Sequence, residues 1–246
     1  MSWSTKENGN EARCCAGIAA AGALGAGFLA YAVRGRSAAI FAPSVFHGSP
    51  ARRSVALTFD DGPSESTPEI LAILEKHRVP ATFFQCGANV ERLPRVAREV
   101  YSAGHEIGNH SHTHPLLCFR SPAFIEREFR LAQEAISGVT GAAPILLRAP
   151  FGVRWFGLGR AQRRLGLLGI MWTVIGYDWS LKSESIIVRV VRGLQNGAII
   201  CLHDGRQLQV APDIRETVKA VGRLIPIIQE QGYHFESVSQ LLCPRN

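Results

Sequence analysis

The sequence predicts an α/β fold of the (β/α) barrel type. From residue 54 onward, short apolar runs typical of buried strands alternate with amphipathic runs at helical spacing, which indicates a parallel sheet covered by helices. Several of the strand-like runs end in an unusual polar group. Because a barrel brings the carboxyl ends of its strands to one face, these groups are expected to form a single site there.

Seven strands and five helices are expected. Thr67-Pro68 and Ser121-Pro122 each pair an N-cap residue with a proline at the first helical position, and Pro94 opens a further helix. The other two helices are expected over 183–194 and 214–230. The strands are expected over 55–59, 81–86, 106–109, 145–148, 169–174, 198–202 and 233–235.

The composition fits one large globular domain and excludes some classes of protein. The chain has 246 residues, of which 46% are hydrophobic and 19% charged. Its net charge of +7 comes from scattered arginines, without the basic run or aromatic ladder of a nucleic-acid binder, so no nucleic-acid partner is expected. The six cysteines form no Cys-x-x-Cys pair and do not indicate a disulfide framework.

The N-terminal segment 1–36 is predicted to direct export. Cys14 to Val33 carries no charge, and about 20 apolar residues can span a bilayer. Ala30-Tyr31-Ala32 also resembles a signal-peptidase site, so a cleaved signal and a retained membrane anchor both stay open, with a soluble Ala-rich helix as the alternative. Residues 37–53 are interpreted as a linker and 54–243 as the domain. We therefore expect a location in the cell envelope, either membrane-anchored or secreted.

Asp60 and Asp61 mark the end of the first strand, directly before the turn residues Gly62-Pro63. Two adjacent carboxylates repel each other unless a cation or a shared proton relieves the repulsion. The pair is therefore a candidate for metal binding or acid–base work, and the alternative is a polar turn.

His110 and His114 are candidate metal ligands. Residues four apart share a face on a helical turn and also on a strand, where His112 would join them. Two imidazoles and one carboxylate, from Asp61 or Asp60, with a position open to water, are typical of a catalytic zinc site. The alternative is a hydrogen-bonded loop.

Five segments in order resemble the motifs of the NodB-homology polysaccharide deacetylases, carbohydrate esterase family 4. The resemblance covers about residues 53–243 and implies a distorted (β/α) barrel, usually of seven strands. The segments are Thr58-Phe59-Asp60-Asp61-Gly62-Pro63, Gly108-Asn109-His110-Ser111-His112-Thr113-His114-Pro115, Arg148-Ala149-Pro150-Phe151-Gly152, Asp178-Trp179 and Leu202-His203-Asp204.

The resemblance implies a role for each matching residue. It implies hydrolysis of N-acetyl groups from a polysaccharide containing N-acetylglucosamine, such as peptidoglycan, a chitin-like chain or poly-N-acetylglucosamine. It also implies one divalent metal ion, with Zn²⁺ the first choice and Co²⁺ or Ni²⁺ as alternatives. The implied roles are metal ligands for Asp61, His110 and His114, general base for Asp60, orientation of that base for Arg148, general acid for His203, an oxyanion-binding N–H for Phe151, and walls of the acetyl pocket for Trp179 and Leu202.

One departure from the family pattern affects the general acid. The family often has Asp three residues before the aspartate of Asp178-Trp179, and this chain has Ile175 there. The partner of His203 is therefore open, with Asp178 as the candidate. Two alternative functions also stay open: an O-acetyl esterase acting on xylan, and an inactive carbohydrate-binding protein.

Overall fold

A computed structural model describes residues 22–243 and places eight parallel strands along one path. The order is β1-β6-β5-β4-β3-β2-β8-β7, and β9 pairs with the start of β2. The strands are β1 (Ser44–Val45), β2 (Ser54–Asp60), β3 (Thr82–Gln85), β4 (Glu106–Asn109), β5 (Leu146–Leu147), β6 (Leu168–Ile170), β7 (Val174–Ile175), β8 (Ile199–His203) and β9 (His234–Phe235). The predicted distorted (β/α) barrel is confirmed.

Helices cover the outside of the sheet. The first, α1, is described over residues 22–34. The others are α2 (Thr67–His77), α3 (Gly87–Arg92), α4 (Pro94–Ser102), α5 (Pro122–Thr140), α6 (Leu158–Leu165), α7 (Ser183–Arg192), α8 (Arg215–Glu230) and α9 (Val238–Leu242). The sequence did not predict α3, α6 or α9, which are the three shortest of these helices.

The barrel is incomplete, because β1 and β7 are not paired with each other in the described sheet. The one strand expected over 169–174 is split into β6 and β7. Between them the chain changes partners, since Met171 N donates to Val45 O and Thr173 N donates to Ile199 O. Together with β1, this split gives nine strands instead of the predicted seven, and eight of the nine lie on the path.

Alternation along the strands separates an inner face from a helix-covered face. On β2, Val55, Leu57 and Phe59 pack into the cluster beneath the helices, and Ala56 packs inside the barrel. The inner cluster is completed by Val238 and Leu241 of α9, which lie at the amino-terminal end of the strands. The carboxyl-terminal end of the barrel is therefore the end that stays open for a site.

The two proline-marked helix starts differ. Ser121 caps α5 as predicted, and its Oγ accepts a hydrogen bond from Phe124 N at 3.2 Å. Thr67 is already inside α2, whose N-cap residue is Ser66. Thr67 Oγ1 donates instead to Asp204 Oδ2 at 2.6 Å, so a tertiary contact takes the hydroxyl that the sequence assigned to a cap.

The N-terminal region packs on the barrel from Ala32 onward. Ala32 and Val33 are buried at the end of α1, whereas Leu24 and Phe28 are exposed. Within the segment interpreted as a linker, Ala38 and Ala42 are buried and β1 pairs with β6. Residues 1–21 of the predicted export segment lie outside the described residues, and no described helix is long and apolar enough to cross a membrane.

Candidate active site

A cleft of about 730 Å³ opens at the carboxyl ends of the strands. The residues predicted from sequence that line it are Asp60, Asp61, His110, His114, Phe151, Trp179 and His203. Arg148 and Asp178 are buried and contact those lining residues. Five separate loops and strand ends thus converge on one cleft, as expected for parallel strands that end on one face.

Asp61, His110 and His114 form a cluster suited to a metal ion. Asp61 Oδ1 lies 3.3 Å from His110 Nε2 and 3.0 Å from His114 Nε2. A tetrahedral ion with bonds of about 2.0 Å holds neighbouring N and O ligands about 3.3 Å apart. Asp61 Oδ1 is buried and accepts no hydrogen bond from the described residues, so the three donor atoms fit a divalent metal.

The surrounding groups orient these donors. His110 Nδ1 donates to Arg148 O at 2.8 Å, which leaves the lone pair of Nε2 directed into the cleft. Asp61 Oδ2 accepts from Gln207 N at 2.8 Å, which leaves Oδ1 for the cluster. Burial alone would raise the pKa of Asp61, but the imidazoles of His110 and His114 and the charge of His203 hold it well below its usual value.

Asp60 is held by a fully buried arginine. Arg148 Nη1 donates to Asp60 Oδ1 at 2.6 Å and to Thr58 Oγ1 at 2.8 Å. The guanidinium also lies over the ring of Phe84, 4.1 Å from its centroid. These contacts fix Arg148 in one orientation and leave Asp60 Oδ2 directed toward the cleft, 4.0 Å from His110 Nε2.

His203 is paired with Asp178. His203 Nδ1 lies 2.8 Å from Asp178 Oδ1, while Asp178 Oδ2 accepts from His203 N and from the Thr217 hydroxyl. Burial disfavours the imidazolium, but the charges of Asp178, Asp61 and Asp60 raise the pKa of His203 to about 9. Asp178 is therefore the carboxylate partner that the sequence left open.

Two aromatic side chains stand at the cleft wall. The ring of Phe151 packs edge-on against His114, with centroids 4.6 Å apart, and the backbone φ of Phe151 is +57°. The indole of Trp179 packs against His203 at 5.1 Å and is 47% exposed. Both rings can contact a substrate while restraining an imidazole.

Leu202 is placed differently from its predicted position in the pocket wall. It is fully buried in the cluster beneath the helices and is not among the lining residues. The period of two along β8 explains this placement, because Cys201 and His203 face the cleft and Leu202 faces the other side.

Other residues reach the cleft that the sequence did not single out. Cys201 Sγ lies 3.5 Å from Asp60 Oδ2, and Tyr177 packs against Trp179. Arg206 Nη2 donates to the backbone carbonyl of Asp178 at 2.9 Å. Two signals in this region were the proximity of Cys201 to a motif histidine and the left-handed φ of Tyr177 (+53°). Neither signal indicates a place in the cleft until the fold is known.

His112 lies away from the metal cluster. Its Nε2 lies 3.8 Å from Glu91 Oε2, and His112 does not line the cleft. His110 and His114 are therefore brought together without the strand geometry that would have added His112.

Comparison with known proteins assigns the chain to a family. The family model described as polysaccharide deacetylase matches residues 47–169. A chitooligosaccharide deacetylase of Bradyrhizobium sp. (strain ANU 289) is 38% identical over 198 residues, which cover 77% of this chain and 90% of the relative.

Solved structures agree with this assignment. The Bc1960 peptidoglycan N-acetylglucosamine deacetylase superposes with a TM-score of 0.76 at 30% identity, covering 80% of this chain and 91% of that one. BA3943 of Bacillus anthracis, described as a family 4 pseudoenzyme, superposes with a TM-score of 0.75 at 30% identity, covering 82% and 69%. This chain therefore belongs to the NodB-homology polysaccharide deacetylases, carbohydrate esterase family 4, a family of hydrolases that act on carbon–nitrogen bonds other than peptide bonds.

Proposed function

We propose that this chain is a metal-dependent deacetylase that removes N-acetyl groups from a polysaccharide containing N-acetylglucosamine. The observation that carries the proposal is the convergence of three groups on one cleft: the cluster of Asp61, His110 and His114, the Asp60–Arg148 pair and the His203–Asp178 pair. Relatives described as chitooligosaccharide and peptidoglycan deacetylases support this substrate class.

Asp61, His110 and His114 are proposed to hold the ion, with Zn²⁺ preferred and Co²⁺ or Ni²⁺ as alternatives. Two imidazoles and one carboxylate are a donor set of catalytic zinc. A bound divalent ion would polarise the amide carbonyl and make a water molecule more acidic. The hydrogen bond from His110 Nδ1 to Arg148 O keeps the imidazole in the tautomer that such an ion requires.

Asp60 is proposed as the general base. Its Oδ2 faces the cleft, where it can take the proton of the attacking water. Arg148 favours the ionised carboxylate and fixes its direction through Oδ1. The peptide N–H of Phe151 is proposed to donate to the oxyanion that forms as the water adds to the carbonyl carbon.

His203 is proposed as the general acid. The amine of the sugar leaves poorly unless it is protonated, and a His203 with a pKa of about 9 is protonated at neutral pH. Asp178 positions the ring through Nδ1 and leaves Nε2 free to donate. Trp179 is proposed as a wall of the acetyl pocket, and Leu202 is not, since it faces the core.

The exported location is proposed from the apolar segment 14–33. The exposure of Leu24, Phe28 and Leu29 on α1 supports a contact of this helix with a membrane or an export machinery. We therefore propose a substrate in the cell envelope, reached by a chain that is anchored or secreted.

The test is acetate release from N-acetylglucosamine oligomers by the full chain, as purified, after chelation and after zinc is added back. Chelation is expected to abolish release and zinc to restore it. Asp60→Asn is expected to abolish release while still binding one equivalent of zinc, and the matched control Asp213→Asn, which changes an exposed carboxylate outside the cleft, retains release. Release by chelated protein would refute metal dependence, and release by Asp60→Asn would refute the base.

The same assay separates the alternatives. Release from acetylated xylan but not from N-acetylglucosamine oligomers would identify an O-acetyl esterase. The similarity to the BA3943 pseudoenzyme makes a binding protein the alternative of another class. Oligosaccharide binding without any release, with zinc bound, would identify it.

A further inference from the structure

A second cavity of about 730 Å³ adjoins the cleft. Trp172 and Ile175 line both cavities, so the two form a continuous surface. The far side is formed by exposed positions of α7, including Val188 and Arg192. A polysaccharide chain that places one sugar in the cleft can therefore extend its neighbouring sugars into this second cavity.

The second cavity is strongly basic. Arg36, Arg189 and Arg192 line it, and no carboxylate of the described residues lies within 4.0 Å of their guanidinium groups. The lining acid Glu184 is paired with Arg223, at 2.8 Å, and also accepts from the Ser183 hydroxyl. These three arginines are thus in no ion pair with a described carboxylate, and they outnumber Glu184, the single acid of the lining.

The backbone and an aromatic ring hold two of these arginines in place. Arg36 Nη1 donates to Thr173 O at 2.7 Å, and Arg189 Nε donates to Ile175 O at 2.7 Å. The Arg189 guanidinium also lies 4.2 Å from the centroid of the Tyr177 ring, which lines the cleft. Arg189 therefore lies at the junction of the two cavities, with nitrogen atoms still able to donate to a ligand.

The family pattern often has Asp at the position of Ile175, whose backbone carbonyl accepts from Arg189. Isoleucine instead gives both cavities an apolar surface at their junction. The departure that left the partner of His203 open therefore leaves the surface shared by the two cavities without a carboxylate at this position.

We propose that the second cavity is a subsite for an anionic substituent, a carboxylate or a phosphate, on the polysaccharide. The substrate is then an acidic N-acetylated polysaccharide, and this inference rests on the proposed deacetylase function. Guanidinium groups bind both anions through paired, charge-assisted hydrogen bonds. The half-exposed rings of Tyr177 and Trp179 offer apolar faces to the sugars between the two positions.

The experiment compares matched oligosaccharides with the full, zinc-loaded chain. One substrate alternates N-acetylglucosamine with a sugar that bears a carboxylate, and its partner is the same oligosaccharide with the carboxylate converted to a carboxamide. A second pair carries a phosphate monoester or a free hydroxyl at one position, which distinguishes phosphate from carboxylate. The readout is the ratio of kcat/KM between the charged and the neutral member of each pair.

We expect a ratio of about tenfold in favour of the charged member of at least one pair. Each exposed charge pair contributes little binding free energy, but the contributions of several arginines add up. The ratio should fall as salt rises. Arg192→Gln and Ile175→Asp should each move it toward one, the first by removing a positive charge and the second by adding a negative charge to the surface that both cavities share. Arg163→Gln removes the same charge at an exposed position outside both cavities and should keep the wild-type ratio.

Each outcome decides a different claim. Ratios of one, with acetate released from all substrates, would overturn the anionic subsite and leave the deacetylase function intact. An equal fall of the ratio in Arg163→Gln and Arg192→Gln would overturn the subsite in favour of net charge. Absence of release from every substrate would overturn the deacetylase function itself.

Discussion

Asp178→Asn tests how the structure prepares His203 as an acid. The substitution keeps the shape of the side chain but removes the charge that lies 2.8 Å from His203 Nδ1. Burial lowers the pKa of His203, and the charges of Asp178, Asp61 and Asp60 raise it from 6.5 to about 9. Among the charges that raise the pKa of His203, that of Asp178 has the largest effect. Its removal should therefore return the pKa of His203 to about its ordinary value or lower.

The size of the effect follows from the fraction of imidazolium. At pH 8, a group with a pKa of 9 is about nine-tenths protonated, and one with a pKa of about 6.5 is about 3% protonated. The variant should therefore lose about thirtyfold in kcat/KM at pH 8 and much less at pH 6. The alkaline limb of the pH profile should move to lower pH.

The assay is kcat/KM for acetate release between pH 5.5 and about 9.5, together with an NMR titration of the His203 ring in metal-free protein. Thr217→Val is the matched control, because it removes a hydrogen bond to Asp178 Oδ2 without removing the charge, and its alkaline limb should move far less. An unmoved alkaline limb in Asp178→Asn, with a normal fold, would refute the argument.

The same ion pair also makes the free energy of unfolding depend on pH. The folded pKa of His203 lies above its ordinary value, so its contribution is complete below pH 6.5 and is lost as the pH rises through about 9. The pKa of Asp178 is lowered despite its burial, mainly by the charge of His203, so its contribution is lost only as the pH falls through that lowered value. Asp178→Asn should flatten the decline on the alkaline side.

Three further predictions concern the metal cluster, the cleft wall and the buried arginine. His114→Ala should abolish the rise in Tm that zinc gives the wild type, which at a hundredfold excess over Kd corresponds to about 2.7 kcal/mol; an equal rise in the variant would exclude His114 as a ligand. Leu202→Ala should lower the free energy of unfolding by about 2–5 kcal/mol in denaturant titrations and leave KM nearly unchanged. Trp179→Ala should raise KM with little loss of stability. The reverse pattern would show that Leu202, and not Trp179, forms the wall of the acetyl pocket. Arg148→Lys should lower kcat although it keeps the positive charge, because a lysine cannot donate to both Asp60 and Thr58 in the arginine geometry. A variant with the kcat of the wild type would contradict this.

Local sequence signals anticipated the elements that lead to the site. The all-buried run that ends at Asp60, the Ser121 cap of α5 and the start of α4 at Pro94 were all recognisable, because period, capping and proline geometry act over a few residues. The sequence also predicted that polar groups at strand ends would meet, since parallel strands place those ends on one face.

Only the tertiary structure decided the partner of His203, because Asp178 lies 25 positions away and no local signal contains that distance. The pairing of Arg148 with Asp60, 88 positions apart, was implied by the family resemblance, and the structure supplied its geometry. Leu202 was misplaced because a motif gives the neighbourhood of a residue, while strand register decides which face its side chain takes. The basic cavity beside the cleft likewise arises from Arg36 and α7, which are remote in sequence and adjacent only after folding. The sequence by itself determined the fold family and the types of side chain at the cleft, because both follow from local pattern. The partner of each side chain, the face of the strand on which it lies and the balance of charge around it are properties of the folded chain.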